Sequence, residues 1–399
     1  MTFKNTMDID LIRIIDKFSG QIIALFLIGY DFLKKFFFGR GSDNSQIKKI
    51  LVIRFFGFGN LVLAFPAIKK ISDLFPDAKI YLLTINKNMH LYDGVPFVDK
   101  TLYINVNGFK NFTMSIFQTF FSLRKEKFDL AVDFEIFAYI STFLVYFLGI
   151  RKRIGYRIKG YLRGPLYTTA VTYNNEQHIS KTFYDLVVTL GAEKKENVEL
   201  IGLSISIKDK AVVEEFLKKN FIDSNERLVG MHVGSGQNFI NRRWPETYFA
   251  KVADFLIKEF DAKIILTGTK EELFLINNTI REMRTDTRRV VVVDNLNLSQ
   301  LAFLFKQIRV FFCTDTGPLH LAIAMGVPTV SFFGPNTPRL YGPPLNNKHI
   351  YFYENTPCSP CITNYNAKMS RCKKPVCLTS ISAEKVIASL EVFLERYFI

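Results

Sequence analysis

The sequence has few cysteines and no long uninterrupted apolar run, and each of these features excludes a class of protein. Five cysteines among 399 residues exclude a dense disulfide scaffold. The longest apolar run, residues 22–30, is much shorter than the roughly 20 residues that a membrane-spanning helix needs. Asp8 and Asp10 stand where a signal peptide carries positive charge. We therefore expect neither a spanning helix nor a signal peptide.

The motifs of several enzyme and binding classes are also missing. The turn Gly57-Phe-Gly59 lacks the third glycine of a dinucleotide fingerprint, and there is no Walker motif, which argues against a dehydrogenase and an ATPase. There is no His-Glu-x-x-His motif, so we expect no catalytic metal site. No helix-turn-helix or zinc-finger pattern accompanies the basic residues, which argues against a nucleic-acid partner.

Basic residues, in contrast, are abundant. Lys and Arg together number 52 and Asp and Glu 37, which gives a formal net charge of +15. Such an excess implies an anionic partner, and with nucleic acid set aside this is a phosphorylated substrate or a membrane surface. Because 48% of the residues are hydrophobic, the chain can bury a sizeable core, and its length indicates two domains with an appendage.

Residues 1–46 are predicted to be this appendage, an aromatic-rich helix followed by a linker. Lys34, Lys35 and Arg40 stand near its end. Two interpretations stay open. The helix either lies on a bilayer with these cations toward lipid phosphates, or it packs on the main body as an extension of it.

The rest of the chain alternates between short apolar runs and helical patterns. Apolar runs rich in branched residues predict buried parallel strands. They cover residues 49–54, 79–84, 129–134, 228–233, 263–267, 290–293, 310–313 and 329–333. Helices are predicted at 60–75, 246–260, 318–325 and 382–397. This alternation predicts the α/β class, with two Rossmann-like doubly wound domains, 47–205 and 206–399, facing a central cleft.

The sharpest motif follows one of these strands and reads Asp315-Thr316-Gly317-Pro318-Leu-His320. Thr316 and Gly317 are predicted to open a helix, with Pro318 in its first turn. Their backbone N–H groups and the helix dipole favour an anion at this point. His320 lies four residues after Thr316, on the same helix face. The motif therefore predicts a cradle for a diphosphate.

Polar loops follow three other strands of the same half. His232-Val-Gly-Ser235-Gly236 offers flexible backbone that can surround a phosphate, and Arg242 with Arg243 adds cations nearby. The loop 268–272 brings a carboxylate, and 334–337 follows the last predicted strand. Because the carboxyl ends of parallel strands form one edge of a sheet, we expect these loops to build one ligand site.

These residues resemble glycosyltransferase family 9, the heptosyltransferases of lipopolysaccharide core synthesis, which have the GT-B architecture. The resemblance runs from Ile50 to about Val386. It includes the first loop through Pro66, Arg243-Trp-Pro245, the Asp-Thr-Gly-x-x-His segment and Gly334-Pro335. The Asp-Thr-Gly-x-x-His segment is specific to the family, and the others support it.

The resemblance implies an inverting transfer of a sugar, typically heptose from an ADP-sugar, to a lipid-anchored oligosaccharide. The resemblance also implies that this reaction requires no cofactor or metal ion. Asp315 would lie beside the sugar, and Glu271 would bind the nucleoside, with Glu272 equally consistent by spacing. The positions implied to bind the donor phosphates are Ser235, Gly236, Arg242, Thr316, Gly317 and His320.

One position departs from the family pattern. The family usually has an aspartate directly after the glycine of the first loop as general base, and this chain has Asn60. An amide cannot accept the proton, although Asn60 would still serve as a helix N-cap. Either another carboxylate substitutes, with Asp133 and Glu135 nearest in topology, or the base is dispensable, or the protein only binds a sugar nucleotide. An epimerase on the same fold is a more distant alternative.

Two further clusters have alternative interpretations. Cys358, Cys361, Cys372 and Cys377 have spacings within the range of structural zinc sites, and free thiols are the alternative. The basic stretch comprises Arg151, Arg153, Arg157 and Arg163, together with Lys152 and Lys159. It is predicted to form a patch for acceptor phosphates or a membrane surface.

We expect a cytoplasmic protein, and a peripheral position on the inner face of the cytoplasmic membrane stays open.

Overall fold

The computed structural model describes residues 9–38, 46–55, 57–91, 95–223, 225–365, 370 and 372–398. The chain divides into two compact units, Met1–Val198 and Glu199–Ile399. The predicted boundary between residues 205 and 206 lies a few residues beyond this division. Each unit consists of one parallel sheet with helices on its faces.

The first unit contains a six-stranded parallel sheet in the order β3-β2-β1-β4-β5-β6. Its strands are β1 (Lys49–Ile53), β2 (Lys79–Ile85), β3 (Lys100–Ile104), β4 (Leu130–Asp133), β5 (Lys152–Arg157) and β6 (Thr169–Thr172). Its helices are α1 (Ile9–Phe38), α2 (Phe58–Leu74), α3 (Phe109–Glu126), α4 (Tyr139–Phe147) and α5 (Ile179–Val188). Short 3₁₀ helices cover Asn86–Leu91 and Gly164–Leu166.

The second unit also contains a six-stranded parallel sheet, in the order β12-β11-β10-β7-β8-β9. Its strands are β7 (Leu228–His232), β8 (Lys263–Thr267), β9 (Val290–Val293), β10 (Val310–Thr314), β11 (Thr329–Phe333) and β12 (His349–Tyr353). The longer helices are α6 (Ile207–Lys219), α7 (Glu246–Phe260), α8 (Leu273–Glu282), α9 (Leu298–Phe305), α10 (Gly317–Ala324) and α13 (Ala383–Phe398). Shorter ones are α11 (Pro338–Tyr341), α12 (Val376–Thr379) and 3₁₀ turns at Gln237–Arg242, Lys270–Glu272 and Thr287–Arg289.

Both sheets have the same doubly wound order, since β7 to β12 repeat the arrangement of β1 to β6. In such a sheet the strand order reverses at one point, and ligands bind at the carboxyl ends of the strands on either side of it. The reversal falls between β1 and β4 in the first unit, and between β7 and β10 in the second. The prediction of two Rossmann-like domains is confirmed for each unit, and β3, β5, β6 and β12 are strands that the apolar pattern missed.

The first sheet is covered on both faces. One face carries a core in which Leu123 of α3 and Val145 of α4 pack with Leu51 and Ile53 of β1. α2 and α5 pack against each other, with Phe183 of α5 edge-on to Phe134. In the second unit, the indole of Trp244 is fully buried and stacks on Phe332 at 3.9 Å between centroids. Most of the driving force for folding comes from such buried apolar surface.

Helix α2 begins two residues before the predicted start, and Gly57 is its N-cap. The prediction that Asn60 caps the helix is therefore wrong. Gly57 has φ 79°, a conformation that favours glycine, so the chain enters the helix there and Asn60 falls in the first turn. The Asn60 amide nitrogen lies back toward Gly57, 3.2 Å from where a Cβ would be. The helix continues through Pro66.

The amino-terminal helix α1 packs on α4 along one of its faces. The carboxylate of Asp16 accepts hydrogen bonds from the N–H groups of Tyr139 (2.7 Å) and Ile140 (3.0 Å) at the start of α4. Farther along, Asp31 accepts a hydrogen bond from the Tyr146 hydroxyl at 2.7 Å. The interpretation of α1 as an extension packed on the main body is thus confirmed. Lys34, Lys35 and Arg40 lie outside the described side chains, and no helix among the described residues is long and apolar enough to cross a membrane.

Two glycines of α1 give a matched test of this packing. A Cβ on Gly20 would lie 2.3 Å from Cγ of the buried Tyr139, whereas a Cβ on Gly29 would meet nothing within 4 Å. We expect Gly20→Ala to destabilise the protein by about 1–3 kcal/mol through this overlap. Gly29→Ala should be neutral or stabilising by up to about 1 kcal/mol, because alanine is the better helix former. Thermal unfolding of both variants checks this, and equal effects would contradict the α1–α4 contact.

Candidate functional site

The four polar loops of the second half follow four neighbouring strands. The strands β11, β10, β7 and β8 are adjacent in this order, with Cys313 of β10 paired to His232 of β7 and His232 paired to Thr267 of β8. The loops after β7 and β10 flank the point where the strand order reverses. The expectation that these loops come together at one edge of the sheet is confirmed.

An ion pair joins the two central loops. Arg242 donates from Nη1 to Oδ2 of Asp315 at 3.1 Å, and Asn336 donates to the same oxygen at 2.8 Å. All three side chains are buried. Asp315 is therefore fixed by a cation and an amide, one from the loop after β7 and the other from the loop after β11. Asn336 belongs to a loop that the sequence indicated, but its role became visible only from this contact.

Arg242 holds more hydrogen-bond donors than these contacts use. Its Nε and Nη2 atoms are buried and have no hydrogen-bond partner among the described residues. The guanidinium carbon also lies 4.3 Å from the centroid of the Phe239 ring. Leaving charged donors buried without acceptors is costly, so such a group normally has an acceptor to complete it. A planar cation with two free donors matches a phosphate oxygen pair.

The helix that follows β10 begins as predicted. Thr316 is the N-cap of α10 in an extended conformation, and Gly317 and Pro318 form the first turn. The Thr316 hydroxyl donates to the carbonyl of Thr314 at 3.2 Å, so its side chain does not cap the helix. His320 is buried one turn into the helix, with its ring 6.2 Å from that of Tyr341. The start of α10 thus lies beside Asp315, where its dipole favours an anion.

The loop after β7 turns at Gly236, whose φ of 74° favours glycine. The Gly236 N–H donates to Oε1 of Glu272 at 2.8 Å, and the other oxygen of Glu272 accepts from Thr269 N–H at 3.0 Å. Gly234 allows this approach, because a Cβ there would lie 2.0 Å from the Glu272 carboxylate. Ser235 is buried and its hydroxyl donates to the Phe239 carbonyl at 2.7 Å.

Glu271 and Glu272 therefore lie in different surroundings, although they are neighbours in sequence. Glu272 is buried and holds the loops after β7 and β8 together, while Glu271 is exposed in the 3₁₀ turn beside it. Burial opposes ionisation of Glu272, but nearby His232 and the two N–H donors outweigh it and lower the pKa of this carboxyl. Burial in turn lowers the pKa of His232, a residue of this edge to which the sequence analysis gave no role. Binding of a nucleoside by Glu271 stays a prediction.

The lowered pKa of Glu272 predicts a pH effect on stability. A carboxyl with a depressed pKa in the folded state stabilises the protein above its unfolded pKa, and this contribution is lost as pH falls through the folded pKa. We expect the melting temperature of the wild type to fall more steeply below about pH 4.5 than that of Glu272→Gln. Glu271→Gln is the matched control and should follow the wild type. Identical profiles for wild type and Glu272→Gln would contradict this assignment.

At the equivalent edge of the first sheet, an arginine and a carboxylate also form an ion pair. Arg54, just after β1, lies 3.3 Å from Oε1 of Glu135, just after β4, and Arg54 Nη1 donates to the Phe134 carbonyl at 2.9 Å. Oε1 of Glu135 also accepts from the N–H of Phe55 at 2.7 Å. Both charged side chains are buried. Glu135 therefore contacts the loop that leads to Asn60, and Arg54 is a residue of this edge that the sequence analysis missed.

Asp133 lies in a different environment from Glu135. It is fully buried, and its Oδ2 accepts from Arg163 at 3.0 Å and from the Tyr167 hydroxyl at 2.6 Å, while its Oδ1 accepts from the Glu135 N–H at 2.9 Å. Burial raises the pKa of Asp133 despite the neighbouring Arg163. Both oxygens of Asp133 therefore accept hydrogen bonds inside the protein. Of the two carboxylates, only Glu135 borders the first loop.

The prediction of an exposed basic patch needs correction. Arg163 is fully buried against Asp133, and Arg153 donates to the carbonyls of Leu166 (3.0 Å) and Ile150 (2.6 Å). Residues 152–157 form strand β5, so this stretch contributes to the sheet and its side chains divide between interior and surface. Of the four predicted arginines, Arg151 and Arg157 are the exposed ones.

The four cysteines near the carboxyl end form no disulfide. Burial, followed by the charges of Cys361, Cys358 and Cys372, raises the pKa of Cys377 to about 11. Cys358 is exposed, whereas Cys377 packs against Gly334, where a Cβ would lie 2.8 Å from its sulfur. Among the residues that the structure describes, no group of three or more Cys, His, Asp or Glu side chains is arranged to hold a metal ion. Structural zinc at these thiols stays a prediction.

Comparison with known proteins agrees with this geometry. The model of glycosyltransferase family 9 (heptosyltransferase) matches residues 116–370. A putative glycosyltransferase of Haemophilus influenzae is 26% identical over 369 residues, which cover 88% of this chain and 98% of that protein. Lipooligosaccharide heptosyltransferase 2 of Campylobacter jejuni is 25% identical over 344 residues, 85% of this chain and 96% of that protein.

The fold is also that of a solved heptosyltransferase. The structure of Escherichia coli ADP-heptose lipopolysaccharide heptosyltransferase II superposes with a TM-score of 0.68 at 19% identity, covering 87% of this chain and 99% of that one. At this identity the likeness concerns the fold. It agrees with the GT-B architecture that the resemblance of the sequence implied.

Proposed function

Because the chain belongs to glycosyltransferase family 9, we propose that it transfers heptose from ADP-heptose to a lipid-linked glycan of the lipopolysaccharide-core type. The observation that carries the proposal is the buried guanidinium of Arg242, which lies beside the start of α10 with two donors unused by the protein. The E. coli relative in fold is named for ADP-heptose, and the C. jejuni relative for a lipooligosaccharide. Both names support this choice of donor and acceptor.

The donor diphosphate would bind at the carboxyl edge of the second sheet. Arg242 and the N-terminus of α10 supply positive charge, and Gly236 lets the loop backbone approach the phosphates. Ser235 lies in the loop after β7 and His320 in the first turns of α10, and they complete the set of polar groups. Fixed charges of this kind stabilise the negative charge that develops on a departing diphosphate. We therefore propose that the protein's own cations support departure of the leaving group, without a metal ion in that role.

The transfer would proceed as a single displacement with inversion. The acceptor hydroxyl oxygen forms a bond to the anomeric carbon as the bond from that carbon to the diphosphate oxygen breaks, and the electron pair leaves with ADP. The proton of the hydroxyl passes to a general base. Asn60 cannot take this proton, and both carboxylate oxygens of Asp133 already accept hydrogen bonds from protein donors. We propose Glu135 as the base, since it borders the first loop through Phe55.

Transfer assays with paired variants test this proposal. With ADP-heptose and a phosphorylated lipid-linked core glycan, we expect the wild type to extend the acceptor by one heptose. Glu135→Gln should lower kcat by about a hundredfold or more, a typical effect of removing a general base. Asn60→Asp should raise kcat, and the double variant should recover activity because the restored aspartate replaces the base. The matched control is Glu126→Gln, a carboxylate paired with Lys49 away from the loop.

The outcomes separate the alternatives. Full activity of Glu135→Gln would exclude Glu135 as the base. Tight binding of ADP-heptose without transfer, together with transfer by the Asn60→Asp variant, would instead favour a sugar-nucleotide-binding protein that has lost its base. Asn60 is the observation behind that second candidate.

A lipid-linked acceptor also implies that the enzyme works at the inner face of the cytoplasmic membrane, with the sugar nucleotide supplied from the cytoplasm.

A further inference from the structure

Helix α1 has an inner face, which packs on the protein, and an apolar outer face, which the protein leaves exposed. The covered face carries Asp16, Gly20, Ala24 and Asp31, which meet α4 and its surroundings. The other face exposes large apolar side chains to solvent: Phe18 (67% exposed), Ile22 (60%), Leu25 (62%), Phe26 (73%), Phe32 (70%) and Leu33 (56%). Exposed apolar surface of this extent is unusual for a protein that meets only water and marks a binding surface.

The uncovered face of α1 is firmly oriented. Asp16 accepts from two N–H groups of α4, Gln21 donates to the Gly160 carbonyl at 2.8 Å, and Gly20 allows close contact with Tyr139. Rotation of α1 about its axis to bury its outer side chains would break these hydrogen bonds. It would also leave the N–H groups of Tyr139 and Ile140 without their acceptor. The outer face is therefore presented by a fixed helix, about 45 Å long at 1.5 Å per residue.

A second helix of the first unit, α3, also exposes aromatic side chains. α3 and α4 share one core on the same face of the first sheet, and Arg124 of α3 donates to the Phe147 carbonyl at the end of α4 at 3.4 Å. α3 exposes Phe117 (65%) and Phe121 (59%), one turn apart. Exposed phenylalanines thus occur on α1, on α3 and at Phe147 of α4, all in one unit.

The charges on these helices favour an anionic surface. Lys17 on α1 and Lys110, Arg124 and Lys125 on α3 are exposed. The described carboxylates of these helices are paired within the protein. Asp16 and Asp31 accept hydrogen bonds from α4, and Glu126 pairs with Lys49 at 2.8 Å and Lys100 at 3.3 Å. The hydrogen bond from Lys49 lowers the pKa of Glu126 to about 2, so it stays ionised within its ion pairs. Most of the net positive charge of the chain lies in this unit.

We propose that the outer face of α1, with the exposed aromatic residues of α3, docks the enzyme on a bilayer containing anionic phospholipids. A helix with one apolar face and flanking cations lies in the membrane interface with its apolar side chains among the acyl chains. Aromatic side chains are especially suited to that depth. A second copy of the chain fits less well, because a symmetric contact through this face would bring its cations against one another. Docking through this face does not depend on which sugar the enzyme transfers.

Vesicle binding by the full-length protein tests the proposal. Sedimentation with phosphatidylethanolamine–phosphatidylglycerol vesicles should bring down the wild type, with weaker binding to phosphatidylcholine vesicles. Phe18→Gln/Phe26→Gln/Phe32→Gln should lower the partition coefficient by about tenfold or more, since three apolar side chains no longer leave water. The matched control, Ile207→Gln/Leu345→Gln/Val392→Gln, changes exposed apolar residues of the second unit and should bind as the wild type. Transfer to a soluble acceptor fragment should be unchanged in both variants.

A single-site probe makes the test independent of overall affinity. The chain has one tryptophan, Trp244, which is fully buried in the second unit. Phe26→Trp adds an indole on the proposed surface, and brominated lipids should quench it while leaving Trp244 bright. Equal vesicle binding of the α1 triple variant and the wild type, or no quenching of the new indole, would overturn the proposal. So would a wild type that is dimeric, ignores vesicles and becomes monomeric in the triple variant.

Discussion

The ion pair between Arg242 and Asp315 is the interaction on which the candidate donor site depends. The two residues belong to the loops after β7 and β10, which flank the reversal of strand order in the second sheet. Asp315 takes up one nitrogen of the guanidinium and so fixes its plane, while Nε and Nη2 remain for a ligand. Asn336 donates to the same oxygen of Asp315. A cation fixed in this way costs no reorganisation when charge develops on a leaving diphosphate.

The first unit also pairs a buried arginine with a carboxylate at its reversal of strand order, but there the pair fixes a loop. Arg54 and Glu135 come from the loops after β1 and β4, which flank the reversal of order in the first sheet. Here the Phe55 N–H and the Arg54 guanidinium both meet Oε1 of the carboxylate, so the pair fixes the loop that leads to Asn60. Deeper in the sheet, Asp133 is satisfied by Arg163 and Tyr167. The proposed base is thus the carboxylate at the edge, and the interior carboxylate stabilises the fold.

Much of the fold could be predicted because the buried strands are short apolar runs and parallel order follows from their alternation with helices. The start of α10 at Thr316 was predictable, since a strand run, a Thr-Gly turn and Pro318 allow few alternatives. The strand order was not, because it depends on how the helices pack. The burial of Arg163 was not predictable for a related reason. Six cations within residues 151–163 are typical of a surface segment, and only the partner Asp133, distant in sequence, explains why Arg163 is buried. Likewise α1 was predictable as a helix, but its packing on α4 depends on residues that are distant in sequence.

We propose that Arg242 binds the diphosphate of ADP, and calorimetric titration of ADP into the full-length protein tests this role most directly. The wild type should bind ADP, and Arg242→Gln should weaken binding by about tenfold to a hundredfold, the effect of losing charge-assisted hydrogen bonds. Arg242→Lys, which keeps the charge, should retain part of the affinity, and circular dichroism of each variant should match the wild type. No binding of ADP by the wild type, or equal affinity in Arg242→Gln, would contradict the account.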